Sequence, residues 1–149
     1  MILSRRAFAA LLPIALFAGS RAAAAAGPAV TVYKSPSCGC CGAWVAHLRA
    51  AGFLVAVRDV DDLTPIARKL GVPDPLRSCH TAMVGGYAVE GHVPAADIRR
   101  LLKERPRAAG LAVPGMPLGS PGMEQGGIKQ AYSTLLFDRA GNKRVFARH

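Results

Sequence analysis

Three of the chain's four cysteines, Cys38, Cys40 and Cys41, fall within four residues, in Lys34-Ser35-Pro36-Ser37-Cys38-Gly39-Cys40-Cys41. The fourth, Cys79, lies far along the chain in Ser78-Cys79-His80-Thr81. Cys38 and Cys41 have the C-x-x-C spacing of reversible disulfide chemistry, with Cys38 as attacking and Cys41 as resolving thiol. Cys40 works against a clean two-thiol switch, because a third thiol beside the pair can attack its disulfide. Structural zinc normally takes two separated C-x-x-C pairs around one tetrahedral ion. Here three cysteines are crowded and one is remote, so a zinc-stabilised interaction module ranks last. Cu(I) prefers soft thiolate and thioether ligands. It also accepts low coordination and bridging thiolates, so a small copper–sulfur cluster suits the crowding. Two plain disulfides are the bland alternative for an even count in an oxidising compartment. Three cysteines in four residues make a poor staple for that purpose.

Other soft or borderline ligands stand nearby in sequence. His80 abuts Cys79, and strand alternation leaves its direction open. Met116 and Met123 lie in a Gly/Pro-rich stretch, where they are candidate auxiliary thioether ligands or lid residues. Met83 and Trp44 read as packing residues, and His47 as a solvated helix residue. His92, in the turn Gly91-His92-Val93-Pro94, has no role that the sequence decides, and His149 carries no signal.

A site built from two distant segments needs a fold that joins them. Residues 29–33 read as a strand and 42–51 as a helix, with the Ser/Pro turn between them. That order places the sulfurs at a helix N-terminus, where unpaired N–H groups and the helix dipole favour thiolate. Residues 53–57 read as a buried strand. A short helix over 64–70 follows, with Thr64 as cap, Pro65 at the first position and Gly71 as the stop. Pro73 and Pro75 make the connection that delivers Cys79. Residues 81–84 and 87–89 flank Gly85-Gly86, a hairpin signal. Residues 94–103 return to helical spacing, with Ile98, Leu101 and Leu102 as the apolar face.

This β-α-β-α-β-β-α order is similar to the thioredoxin or glutaredoxin layout, which sets a cysteine-bearing helix start beside the loop before the third strand. That loop carries Cys79 here. The proline usual in that layout just before the third strand is absent, and Cys79-His80-Thr81 stands in its place, which argues against ordinary disulfide exchange. Residues 111–127 show no regular pattern, as expected of a functional or disordered loop. Residues 131–137 and 143–147 form a second hairpin pattern around 138–142. The expected class is α/β: a thioredoxin-like three-layer fold with a central mixed sheet, plus a C-terminal loop and β-hairpin extension.

With 149 residues, 51% of them hydrophobic, the chain suits one domain once a leader is set aside. Ser4-Arg5-Arg6-Ala7-Phe8 supplies a basic start, residues 9–17 a short apolar core, and 22–26 small cleavage-site residues. Residues 1–26 are therefore expected to be an export signal, by the twin-arginine or general secretory route, with the functional domain at 27–149. The apolar run is short for a membrane span, so no stable span is expected in the mature form. Without Arg5, Arg6 and Arg21 the chain has 16 basic against 9 acidic residues, a net +7. Arg99, Arg100, Lys103, Arg105 and Arg107 form the one basic cluster, which reads as a solvated helix face. Export separates the protein from nucleic acid, so no nucleic-acid partner is expected.

From residue 30 to its end the chain resembles the bacterial periplasmic thioredoxin-like copper proteins of the CopG type, long described as a domain of unknown function. The matching stretches are 33–41, 59–65, 78–82, 89–94, 110–117 and 119–124, in that order. The resemblance implies a thioredoxin-like fold, a periplasmic location and a role in copper resistance or handling. It implies Cu(I) bound by Cys38, Cys40, Cys41 and Cys79, as a multicopper cluster with redox activity coupling copper and thiols. Copper ions and other periplasmic copper-handling proteins are the partners expected of such a chain.

Overall fold

The computed structural model describes residues 27–149; the expected export signal at 1–26 lies outside them. Strand β1 (Ala29–Lys34) alternates Val30 and Val32 into the core. The turn 35–37 then reverses the chain, with the Cys38 N–H donating to Ser35 O at 3.1 Å. Helix α1 (Gly39–Ala50) starts three residues earlier than its apolar pattern indicates, with Cys38 as N-cap. It buries Cys41, Trp44, Val45 and Leu48 along one face and stops before Gly52, whose φ of +83° suits glycine.

The remaining elements are β2 (Leu54–Asp59), α2 (Thr64–Lys69), a single 3-10 turn (Asp74–Leu76), β3 (His80–Val84), β4 (Tyr87–Gly91) and α3 (Ala95–Glu104). They are followed by β5 (Gly110–Val113), β6 (Ser133–Phe137) and β7 (Lys143–Arg148). All seven strands form one mixed sheet in the order β2-β1-β3-β4-β5-β6-β7. β1 runs parallel to β2 and antiparallel to β3, and β3 pairs antiparallel with β4. Gly85 and Gly86, at φ +55° and +88°, make the tight turn between β3 and β4.

The two sheet faces bury different helices. Trp44, Val45 and Leu48 of α1 join Ile98 and Leu101 of α3 over Val30, Val32, Ala82, Val84, Val89, Leu111 and Val113. Ala67 of α2, with Val72 and Leu76, packs on Ala88, Ala112 and Phe137 on the opposite face. Helices on both faces of a mixed sheet give the three-layer, thioredoxin-like α/β arrangement.

Four expectations change. The stretch 111–127 is not wholly irregular: Gly110–Val113 is β5, buried at all four positions and paired parallel to β4. Being buried on both faces, it has no alternation to reveal it. It joins the C-terminal hairpin to the main sheet as a continuation. β2 is an edge strand with Leu54, Ala56 and Arg58 exposed, so it is not buried. Thr64 does not cap α2: its own N–H donates to Asp62 Oδ1 at 2.8 Å. Met83 is 40 % exposed rather than packed.

The α3 arginines also do more than face water. Arg99 lies over the Phe53 ring and hydrogen-bonds Ala51 O. Arg100 lies over Phe146, with its guanidinium carbon 4.2 Å from the ring centre, and also reaches Glu104 and Phe146 O. Cation–π contacts of this kind fasten α3 to Phe53, just before β2, and to Phe146 of β7.

Candidate metal centre

The antiparallel register of β1 and β3 pairs Lys34 with His80. The residue after β1 and the residue before β3 therefore meet at one end of the sheet. That end holds the start of α1, with Cys40 and Cys41 in its first turn. The four Sγ atoms of Cys38, Cys40, Cys41 and Cys79 all lie within 4.8 Å of one another. Cys38 and Cys41 are joined as a disulfide with Cα atoms 5.4 Å apart, while Cys40 and Cys79 are free. Cys40 Sγ is 3.5 Å from Cys38 Sγ and 3.8 Å from Cys79 Sγ. Cys41 is fully buried, and its Sγ lies 3.3 Å from Cys79 O.

Two imidazoles back Cys79. His80 Nδ1 and His92 Nε2 each lie 3.3 Å from its Sγ. His92 Nδ1 is 2.8 Å from Pro121 O, so it must donate its proton there, which leaves Nε2 with a lone pair toward the sulfur. His80 is fully buried, its ring centre 4.4 Å from that of Trp44. Its Nε2 is buried and has no hydrogen-bond partner among the described residues.

Burial, reinforced by the neighbouring His92, holds the His80 pKa down to about 3. Burial also lowers His92, against the raising effects of Pro121 and Glu124. Both rings are therefore neutral near pH 7. Burial pushes the Cys79 thiol up to about 12, and negative charge on Cys40 adds to that. A bound cation would reverse this balance, since metal coordination deprotonates a thiol.

Glu90 holds the Cys79 segment from below. Its Oε1 accepts from Ser78 N at 2.6 Å and its Oε2 from Thr81 Oγ1 at 2.7 Å, bracketing Cys79 and His80. Burial raises this carboxyl from 4.5 to about 7, against the lowering effect of those two bonds. A carboxyl pKa that is higher in the folded state means that, between those values, the native chain keeps a proton the unfolded chain has lost. Stability of the metal-free protein is expected to fall as pH rises through that window, by roughly 3 kcal/mol. Urea denaturation at about pH 5 and about pH 8 checks this, and Glu90→Gln should flatten the dependence.

A C-terminal loop lies over the same end. Besides Pro121 O on His92, Gly122 sits so close to α1 that an added Cβ would come 2.8 Å from Cys40 O and Trp44 N. Met123 follows Gly122 and is half-buried. Met116 is 42 % exposed with φ +47°, a strained conformation for a non-glycine residue. The structure thus gathers the four cysteines and His80, adds His92, and leaves Met116 open to solvent.

His92 was findable in principle. β3 and β4 pair Thr81 with Glu90, so residues 79–80 must face 91–92. Of the other two histidines, His47 departs from the expected solvated position and His149, which carried no sequence signal, finds a distant partner. His47 is half-buried, and its Nε2 accepts from Ala95 N at 3.1 Å, capping α3. His149 pairs with the buried Asp97 at 2.9 Å and stacks on Tyr132.

Residues 76–123 match a family described as "Protein of unknown function, DUF411". No curated protein sequence matches the chain. Among solved structures, "Copper resistance protein copG- Form 2" is 46% identical with a TM-score of 0.78, over 83% of this chain and 98% of that one. "Copper resistance protein copG- Form 1" is also 46% identical, with a TM-score of 0.77, over 81% of this chain and 96% of that one.

Proposed function

Because the chain belongs to the CopG copper resistance protein family, we propose that it binds Cu(I) through Cys38, Cys40, Cys41 and Cys79 for copper resistance or homeostasis. The observation that carries this reading is the convergence of four sulfurs within 4.8 Å, from two segments 38 residues or more apart. Thiolates are soft donors matched to Cu(I). Four of them this close favour bridging between several ions, so the cargo is a small multicopper thiolate cluster. His80 and His92, neutral and against Cys79, add borderline nitrogen donors at the same end, and Met123 and Met116 are auxiliary candidates from the covering loop.

Using all four sulfurs requires reduction of the Cys38–Cys41 disulfide by an external dithiol, which is oxidised to a disulfide as it supplies two electrons and two protons. Copper binding then releases protons as the thiols become thiolates. The same sulfur and copper couples give the site its redox activity. The basic leader and apolar run at 1–26 support export, so residues 27–149 act in the periplasm. There, other copper-handling proteins are donors and acceptors, and nucleic acid is not a partner.

An anaerobic titration against a chromophoric chelator tests the reading. Fully reduced protein is expected to take up more than one Cu(I) per chain, and protein retaining the disulfide fewer. Equal uptake by both forms, or none by the reduced one, would contradict the four-thiolate site.

The Cys38–Cys41 disulfide itself favours a second reading, a thiol–disulfide oxidoreductase with Cys38 as nucleophile and Cys41 as resolving thiol. It requires metal-independent turnover of a model disulfide that is abolished in Cys38→Ser. Inactivity of metal-free wild type in that assay would reject it.

A further inference from the structure

The two free cysteines form a pair of their own. Their sulfurs are 3.8 Å apart, and both residues are partly exposed. This approach is not the accident of a loose loop. Cys40 sits in the first turn of α1, and Cys79 is fixed by the β1–β3 register and by the two Glu90 bonds on either side of it. We propose that Cys40 and Cys79 form a second, reversible disulfide, so that stepwise sulfur oxidation empties the metal site. The copper consequence rests on the four-thiolate reading; the sulfur chemistry does not.

The oxidant is a low-molecular-weight aliphatic disulfide. Cys40 thiolate attacks one of its sulfurs, forming a mixed disulfide and releasing one small thiol. Cys79 then attacks Cys40 Sγ, the Cys40–Cys79 bond forms, and the second small thiol leaves. The cysteine pair loses two electrons, the external disulfide gains them, and both protons end on the small thiols. Cys41, fully buried, is shielded from such a reagent, which assigns the first contact to the partly exposed free pair.

Cys40 Sγ also lies 3.5 Å from Cys38 Sγ, within reach of the existing disulfide. Until Cys79 closes the second bond, the Cys40 thiolate can therefore attack Cys38, releasing Cys41 as thiolate, and the reverse attack restores the first disulfide. The fully reduced site offers four thiolates, the single-disulfide form two, and the doubly oxidised form none. Metal capacity thus follows the thiol–disulfide balance outside the protein.

The test uses metal-free protein carrying the Cys38–Cys41 disulfide, incubated anaerobically with glutathione disulfide, then alkylated and weighed. The two alkylatable thiols are expected to fall to none with no lasting adduct, and proteolysis should release peptides joined through Cys40 and Cys79. Two thiols that persist, or stable adducts on both cysteines, would overturn the proposal. In Cys79→Ser the adduct on Cys40 should persist, and its loss would show a different resolving sulfur and reject the pairing. When the single-disulfide form is first loaded with Cu(I), the same treatment should release the metal to a chromophoric chelator; full retention after linkage would overturn the release step. Linkage in a protein whose reduced form binds no Cu(I) would reject the copper reading alone. Cu(I) binding without linkage would reject the second disulfide alone.

Discussion

Cys79→Ser is expected to weaken Cu(I) binding by the reduced protein by more than about 100-fold, above the 10–100-fold typical of losing only a ligand's hydrogen-bond partner. Cys79 is the one sulfur not supplied by the helix start, and it alone touches Cys40, His80 and His92 together. Its removal leaves three thiols on one short segment, without the opposite wall of the site. Serine preserves the volume and the Glu90 bracket, so thermal unfolding of the metal-free variant should change little. Chelator competition on reduced protein measures the effect. Unchanged affinity and stoichiometry would place the copper elsewhere.

Trp44→Ala is expected to cost about 3–5 kcal/mol of stability, the range for truncating a large buried aromatic. Trp44 is fully buried at the centre of the α1 face, and its Nε1 donates to Val93 O at 2.9 Å. Alanine would leave a cavity between α1 and the sheet and an unpaired carbonyl at the turn into α3. It would also remove the face against which the His80 ring lies. Trp44→Phe keeps most of the apolar volume and should lose roughly 1–2 kcal/mol, the share of the hydrogen bond and the missing ring. Urea denaturation followed by circular dichroism separates the two. A loss below about 1 kcal/mol for the alanine variant would show that the site collapses around the gap.

The parts of the fold legible in the sequence are those with local signatures. Gly85-Gly86 announced the β3–β4 hairpin, the Ser/Pro turn announced the start of α1, and the second hairpin followed from its apolar runs. The meeting of Cys79 with the other cysteines followed from topology once the strand order was assigned. β5 escaped because four residues buried on both faces carry no periodicity. β2 misled because its apolar residues suggested burial, whereas its position at the sheet edge exposes one side.

The histidines were the least legible of all. His47 and His149 take their partners, Ala95 N and Asp97, from sites 48 and 52 residues away. His92 reaches Cys79 only through β3–β4 pairing. A lone histidine carries no spacing signal for contacts of that kind. Cysteine clustering does, which is why the sulfurs of the candidate centre stood out, with His80 beside one of them, and the His92 imidazole did not.

Copper is expected to sit among these sulfurs. Copper K-edge X-ray absorption of the reduced, Cu(I)-loaded protein reads that directly. A first shell dominated by sulfur, with a copper–copper scattering path, is the result predicted for a bridged thiolate cluster. A first shell of nitrogen and oxygen, unchanged in Cys79→Ser, would contradict it.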